Sequence, residues 1–355
     1  MKILITGNLG YVGPAVVQRL RGSLGNATLV GLDMGYFANC LTTVGMVSRS
    51  QVDIQYFGDV RKAPTEALSE VDAVVYLAAI SNDPMGAMFE DITTRVNYLA
   101  AYELAKSAKE RGAKSFVFAS SCSVYGFAEG ARTEVDPVNP LTAYAKSKVQ
   151  AEQDLTGLAD ESFTVTCLRF ATACGMSERL RLDLVLNDFV ASAMMSGEIS
   201  ILSDGTPWRP LIHVKDMAKA IEWGIRRDHR IGGEFLSVNV GSNQWNYQVK
   251  DLADAVAQAI PGTRISINKN AQTDRRSYQV SFEKFLELAP DFQPSVDLVT
   301  AIADLKGGLE AIQFDNKDFR NSRFIRLNML KELASLGLLS ENLEWISPDA
   351  KLVEV

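Results

Sequence analysis

Histidine is nearly missing from this chain: only His213 and His229 occur. A His-rich metal centre or a Ser-His-Asp triad therefore has little to draw on, and no metal site is expected. The four cysteines, Cys40, Cys122, Cys167 and Cys174, lack paired metal-ligand spacing and sit in apolar or small-residue stretches. They read as buried thiols in a reducing cytosol. An excess of positive charge is missing too, since 36 Lys and Arg stand against 43 Asp and Glu, a net charge of −7. A protein that grips nucleic acid through its phosphates needs a basic face, so no nucleic-acid partner is expected. No uninterrupted apolar run approaches the roughly 18 residues of a membrane span. The opening MKILITG has no long apolar stretch before its first glycine. Neither a membrane partner nor a secretory signal is expected, and the location is expected to be cytoplasmic.

What is present is an ordinary globular composition, 47% apolar and 22% charged over 355 residues. That length suggests two domains, or one domain with a lobe. Short apolar runs alternate with amphipathic ones in the N-terminal half. Strands are predicted at Lys2–Thr6, Thr28–Leu32, Ile54–Phe57, Ala73–Leu77, Phe116–Ser120 and Thr164–Leu168, with helical patterns at Val96–Arg111 and Tyr144–Leu158. Continuous apolar strands separated by helices belong to a parallel sheet covered on both faces. The fold class expected is α/β, a Rossmann-like doubly wound parallel sheet with a smaller C-terminal substrate lobe. Residues 1–170 would form the core, with 211–244 returning to it. Residues 171–210 and 245–300 would form the lobe, and 301–355 an extension with no role assigned.

The first strand runs into Thr6-Gly7-Asn8-Leu9-Gly10-Tyr11-Val12-Gly13 and then a helical pattern. Gly7 permits the tight turn, Gly10 lets the backbone approach a pyrophosphate, and Gly13 lets helix and strand pack closely. Asp33, at the end of the second strand, stands where a carboxylate takes the 2′-hydroxyl of an adenosine ribose. No Lys or Arg follows in Met34-Gly35-Tyr36-Phe37, which favours NAD over NADP. Asp59, with Val60 beside it, follows the third strand, where a carboxylate can meet the adenine amino group. Leu77, Ala78 and Ala79 end the fourth strand in mostly small residues, suited to close passage of a cofactor.

Tyr144 and Lys148 are four apart and share one helical face. A nearby ammonium stabilises a phenolate, so Tyr144 could move a proton nearer neutral pH than a free tyrosine. Tyr-x-x-x-Lys alone is common. The fifth strand adds weight, because it ends in Ser120-Ser121-Cys122-Ser123-Val124-Tyr125-Gly126 at the sheet edge where such folds hold ligands,.

Together these motifs resemble the extended short-chain dehydrogenase/reductase family, and within it the NAD-dependent nucleotide-sugar epimerase/dehydratase group. The resemblance spans about residues 1–300. It implies Tyr144 as base, Lys148 as its partner and ribose anchor, and Ser121 as hydrogen-bond donor to substrate, with Ser123 beside it. It implies Asn97 as support for the cofactor or an active-site water. In the lobe it implies Asn187, in Val185-Leu186-Asn187-Asp188-Phe189, and Arg209 and Arg276 as contacts to a nucleotide diphosphate sugar. Guanidinium forks suit a pyrophosphate. A homodimer is also implied. The sequence departs from the family at Cys122 and Ser123, where 4,6-dehydratases carry an Asp-Glu pair, and at Ala171–Gly175, where an Asn usually follows the Phe.

Three activities follow in order of preference. The first is a nucleotide-sugar 4-epimerase working through a transient 4-keto sugar with bound NAD. The second is a nucleotide-sugar 4-ketoreductase using NAD(P)H. The third is a dinucleotide-binding regulatory or scaffold protein without chemistry.

Overall fold

Ile3-Leu4-Ile5 and Val74-Val75-Tyr76 are apolar on both faces, and all six residues are inaccessible to solvent. Strands of that kind stay folded only inside a sheet with helices on both sides. The computed structural model of the protein describes residues 1–42, 51–268, 271 and 277–346. Seven strands form one parallel sheet: β1 (Lys2–Thr6), β2 (Thr28–Asp33), β3 (Ile54–Phe57), β4 (Ala73–Tyr76), β5 (Ser115–Ser121), β6 (Thr164–Phe170) and β7 (Phe235–Val240). Their order is β7-β6-β5-β4-β1-β2-β3. The chain leaves β1 in one direction and returns to its other side as β4. A crevice opens there, past the carboxyl ends of the strands.

The expected strands are present, Lys2–Thr6 and Ile54–Phe57 as expected and the others with ends moved by one or two residues. Helix α1 (Gly13–Ser23) buries Val16, Val17 and Leu20 and begins directly after the glycine turn. The helix expected at Val96–Arg111 is instead a π turn, Arg95–Leu99, followed by the helix Ala100–Glu110. The helix carrying Tyr144 and Lys148 runs over Ala143–Thr156, and the Thr142 hydroxyl caps it by accepting from Ala145 N.

Past β6 a second apolar cluster forms around the helices Val185–Ser196, Val249–Ala259 and Leu298–Ala311, and the helix Arg326–Ser335 joins it. Strands Thr172–Cys174, Trp208–His213 and Asn246–Gln248 make a small sheet beside it. His213 is buried. Its Nδ1 accepts from Lys215 N, so Nε2 carries the hydrogen and donates to Asp304. The four cysteines are buried free thiols.

A buried polar group ties the Tyr144 helix to the sheet. The Glu152 carboxylate accepts from Ser120 on β5, from Arg169 on β6 (2.7 Å) and from Ser237 on β7 (3.1 Å). Removing one partner of a buried pair leaves a charge with no compensation. Arg169→Met is therefore expected to lower the unfolding free energy by roughly 3 kcal/mol. Urea denaturation reads this, and a loss too small to resolve would contradict the anchoring role.

Candidate active site

The crevice is a cavity of about 1070 Å³. Of the residues that the sequence assigns, Gly7, Gly10, Tyr11, Val12, Asp33, Asp59, Val60, Leu77, Ala78 and Ala79 line one half of it. Ser121, Ser123, Tyr144, Lys148 and Arg209 line the rest. Arg276, with Arg275, lies outside the described residues.

The glycine turn is shaped by close approach. Gly7 has φ +72°, and a Cβ on it would sit 2.7 Å from Ala78 N. A Cβ on Gly13 would come within 2.1 Å of the Asn8 carbonyl oxygen. Gly13 therefore serves packing behind the cavity. Leu9 also stays off the wall; its amide donates to Asp33 Oδ2 at 3.0 Å, while Gly35 N donates to Oδ1 at 2.7 Å. Burial pushes the Asp33 carboxyl up, against these two amides and the guanidinium groups of Arg179 and Arg326. Positive charge near Asp33 thus comes from distant parts of the chain. A bare backbone turn at a helix start, with a carboxylate at the neighbouring strand end, fits a dinucleotide.

Two of the assigned residues lie off the cavity and a third is ion-paired. The Asp59 carboxylate lines the cavity and is paired with Arg61, whose Nε lies 2.8 Å from Oδ2. Asn97 is fully buried behind the wall. Its Oδ1 accepts from Ile80 N at 2.9 Å, and its Nδ2 donates to Ile80 O and Ser147 Oγ. It holds the segment after β4 in place, and the π turn is what aims it there. Asn187 is also buried and off the cavity: Nδ2 donates to Tyr11 Oη and Arg181 O, and Oδ1 accepts from Gly175 N. The Asn187 pattern marks a framework residue.

Ser121, Tyr144 and Lys148 come together at the cavity. Burial pushes the Tyr144 phenol up to about 12, while its hydrogen bond with Ser121 and the Arg181 guanidinium draw it down. Lys148 Nζ donates to Ala119 O at 2.7 Å and lies 5.6 Å from the Tyr144 ring centroid. The Ser123 hydroxyl has no partner among the described residues. No group of three or more His, Cys, Asp or Glu side chains that could hold a metal occurs among them.

Arg181 and Asp183 were not legible as site residues. Arg181 lines the cavity, pairs with Asp183 through both Nε (2.9 Å) and Nη2 (3.0 Å), and donates to Ser81 Oγ. Asn82 donates to Asp183 and caps the helix Asp83–Met88, on which a Gly86 Cβ would lie 3.5 Å from Tyr144 Cβ. The pair therefore braces the segment packed on Tyr144. The extension contributes as well, since Ile325, Arg326, Leu330 and Leu343 line the same cavity.

Lys148 is 1% exposed, and burial drops its ammonium from 10.5 to about 7, opposed by Cys167 and Glu152. Below that pH both folded and unfolded chains hold the proton, and the folded one bears the whole desolvation penalty. As pH rises towards 10.5, the folded state sheds a proton that the unfolded state keeps, so the penalty fades,. Lys148→Met is thus expected to gain melting temperature over the wild type at pH 6 and to lose more than half of that advantage by pH 9,. A gap that does not move with pH would contradict the buried ammonium.

A family model described as the NAD dependent epimerase/dehydratase family matches residues 3–241. The chain is 27% identical over 307 residues to a dTDP-glucose 4,6-dehydratase of Streptomyces griseus, covering 85% of this chain and 92% of that one. It is 26% identical over 273 residues to a UDP-glucose 4-epimerase of Corynebacterium glutamicum, covering 72% and 79%. A solved UDP-glucose 4-epimerase from Stenotrophomonas maltophila, with bound NAD and formylated UDP-arabinopyranose, superposes with TM-score 0.76 at 20% identity, covering 88% and 99%. That likeness confirms the fold. The family match takes in more than half of the chain, and this protein belongs to the NAD dependent epimerase/dehydratase family.

Proposed function

We propose that the protein is a nucleotide-sugar 4-epimerase with Tyr144 as its proton-transfer group. The observation that carries this is that Tyr144, Ser121 and Ser123 line one cavity, while Cys122 and Ser123 stand at the sequence positions where a 4,6-dehydratase carries its carboxylates. Water elimination from the sugar would have no acid and base at those positions. An epimerase needs neither.

The turn Gly7–Val12 would hold the pyrophosphate of NAD, Asp33 the adenosine ribose and Lys148 the other ribose. Bound NAD supplies the redox chemistry at sugar C4. Tyr144 would take the proton of the 4-hydroxyl, a step that requires its phenol to be drawn down from the raised value it has here, and Ser121 would donate to that oxygen as it becomes a ketone. The 4-keto sugar turns over in the cavity, and Tyr144 returns the proton to the same oxygen. Arg209 lines the substrate end and suits the diphosphate, whose two charges match a guanidinium fork,. UDP-sugars are the substrates to screen first, because the similar 4-epimerase is named for one.

Tyr144→Phe is expected to cut interconversion of UDP-glucose and UDP-galactose by about 10²-fold or more. The NAD released on denaturation, identified by mass spectrometry, should stay stoichiometric. Turnover that survives the substitution would reject Tyr144 as the base. Wild-type protein that holds no dinucleotide but reduces 4-keto nucleotide sugars with added NAD(P)H would replace the epimerase by the ketoreductase.

A further inference from the structure

The chain past the helix Arg326–Ser335 folds back and reaches the far end of the sheet. Ile346 N donates to Leu338 O, Ser340 N to Glu344 O and Leu343 N to Ser340 O, at 2.9–3.0 Å, closing a small hairpin. This hairpin lies across the loops that follow β2 and β3. Trp345 Nε1 donates to Met34 O at 2.7 Å, and Arg61 Nη1 donates to Asn342 O at 2.8 Å. The Tyr36 hydroxyl donates to Leu343 O, and the Trp345 ring stands 5.6 Å from that of Tyr36. The Lys62–Glu344 pair is exposed and adds little,.

Leu343 is the unusual residue. It is 1% exposed, lines the cavity together with Met34, Tyr36, Val60 and Arg61, and holds φ at +55°. A leucine in the left-handed region is strained and persists only where its surroundings enforce it. The bonds at Tyr36 O–H and Ser340 O do so here.

A dinucleotide with its pyrophosphate on the glycine turn and its ribose on Asp33 would carry its base past the ends of β2 and β3. Arg61, fixed by Asp59, and Met34–Tyr36 bound that volume on two sides. We propose that hairpin 338–346 is the outer wall of an adenine pocket, with Leu343 covering the base. Its contacts to Met34, Tyr36 and Arg61 form a latch that must open before the dinucleotide leaves. The proposal rests on the cofactor reading above and deepens it. A latched cofactor stays between turnovers, which an epimerase requires and an exchanging reductase does not.

The test uses the full chain freed of dinucleotide, with ADP-ribose and nicotinamide mononucleotide as separate probes. Trp345→Ala removes the latch's bond to Met34 and its ring contact with Tyr36 at an exposed position. Leu343→Gly removes the cover, and the relief of the left-handed strain offsets part of the lost burial,. Both are expected to release ADP-ribose about tenfold faster or more by stopped-flow competition, with nicotinamide mononucleotide affinity unchanged. An unchanged ADP-ribose release rate in either variant overturns the wall and latch. So does an equal loss for both probes, which would mean general damage. Wild-type protein that binds no ADP-ribose overturns the cofactor reading itself.

Discussion

The Glu152 carboxylate is the fixed point of the site. A proton-transfer group is useful only if its oxygen is held to a fraction of an ångström, and a helix lying on a sheet can slide. Three side chains from three adjacent strands meet on this one carboxylate, two turns of helix beyond Tyr144. Arg169 also donates to the Tyr125 hydroxyl, which in turn donates to Asn239, so the clamp reaches the turn following Ser121. The Tyr144–Ser121 geometry is a product of this network. Burying so much charge is weak evidence for stability alone.

A second brace works from the opposite side. The Arg181–Asp183 pair grips Ser81 and Asn82, and that segment lies on Tyr144. Tyr144 is thus fixed from below by the sheet and from above by the lobe. The same guanidinium draws the phenol down, whereas Lys148 spends a donor on the Ala119 carbonyl. Position and proton affinity are set together by groups from segments far apart in the chain.

Much of this was legible in the sequence. The order of apolar runs announced the sheet. The glycine turn, Asp33, the Ser121 strand end and the Tyr144–Lys148 pair, each picked out by local spacing, do meet around one cavity. What was missed depends on contacts between distant segments. Asp33 seemed free of cations because its near neighbours are neutral, yet Arg179 and Arg326 reach it from other elements. The Arg61 partner of Asp59 was likewise not readable from spacing. Asn97 and Asn187 matched cofactor and substrate positions, but both spend their amides on backbone groups behind the wall. The extension had no motif to betray it, since a leucine and a tryptophan near a terminus say nothing until they land on Met34 and Tyr36.

The two residues standing in place of the acidic pair differ in their freedom to change. Cys122 is fully buried, and its thiol donates to the Arg169 carbonyl. A carboxylate there would set acceptor against acceptor in a dry interior, and the polypeptide would resist it. Ser123 borders the cavity with a hydroxyl that no described protein group engages. Chemical diversification of this scaffold by single mutation is therefore channelled through one position of the two. New acid–base function can enter at 123 without dismantling the frame, whereas residue 122 is held by the architecture it supports.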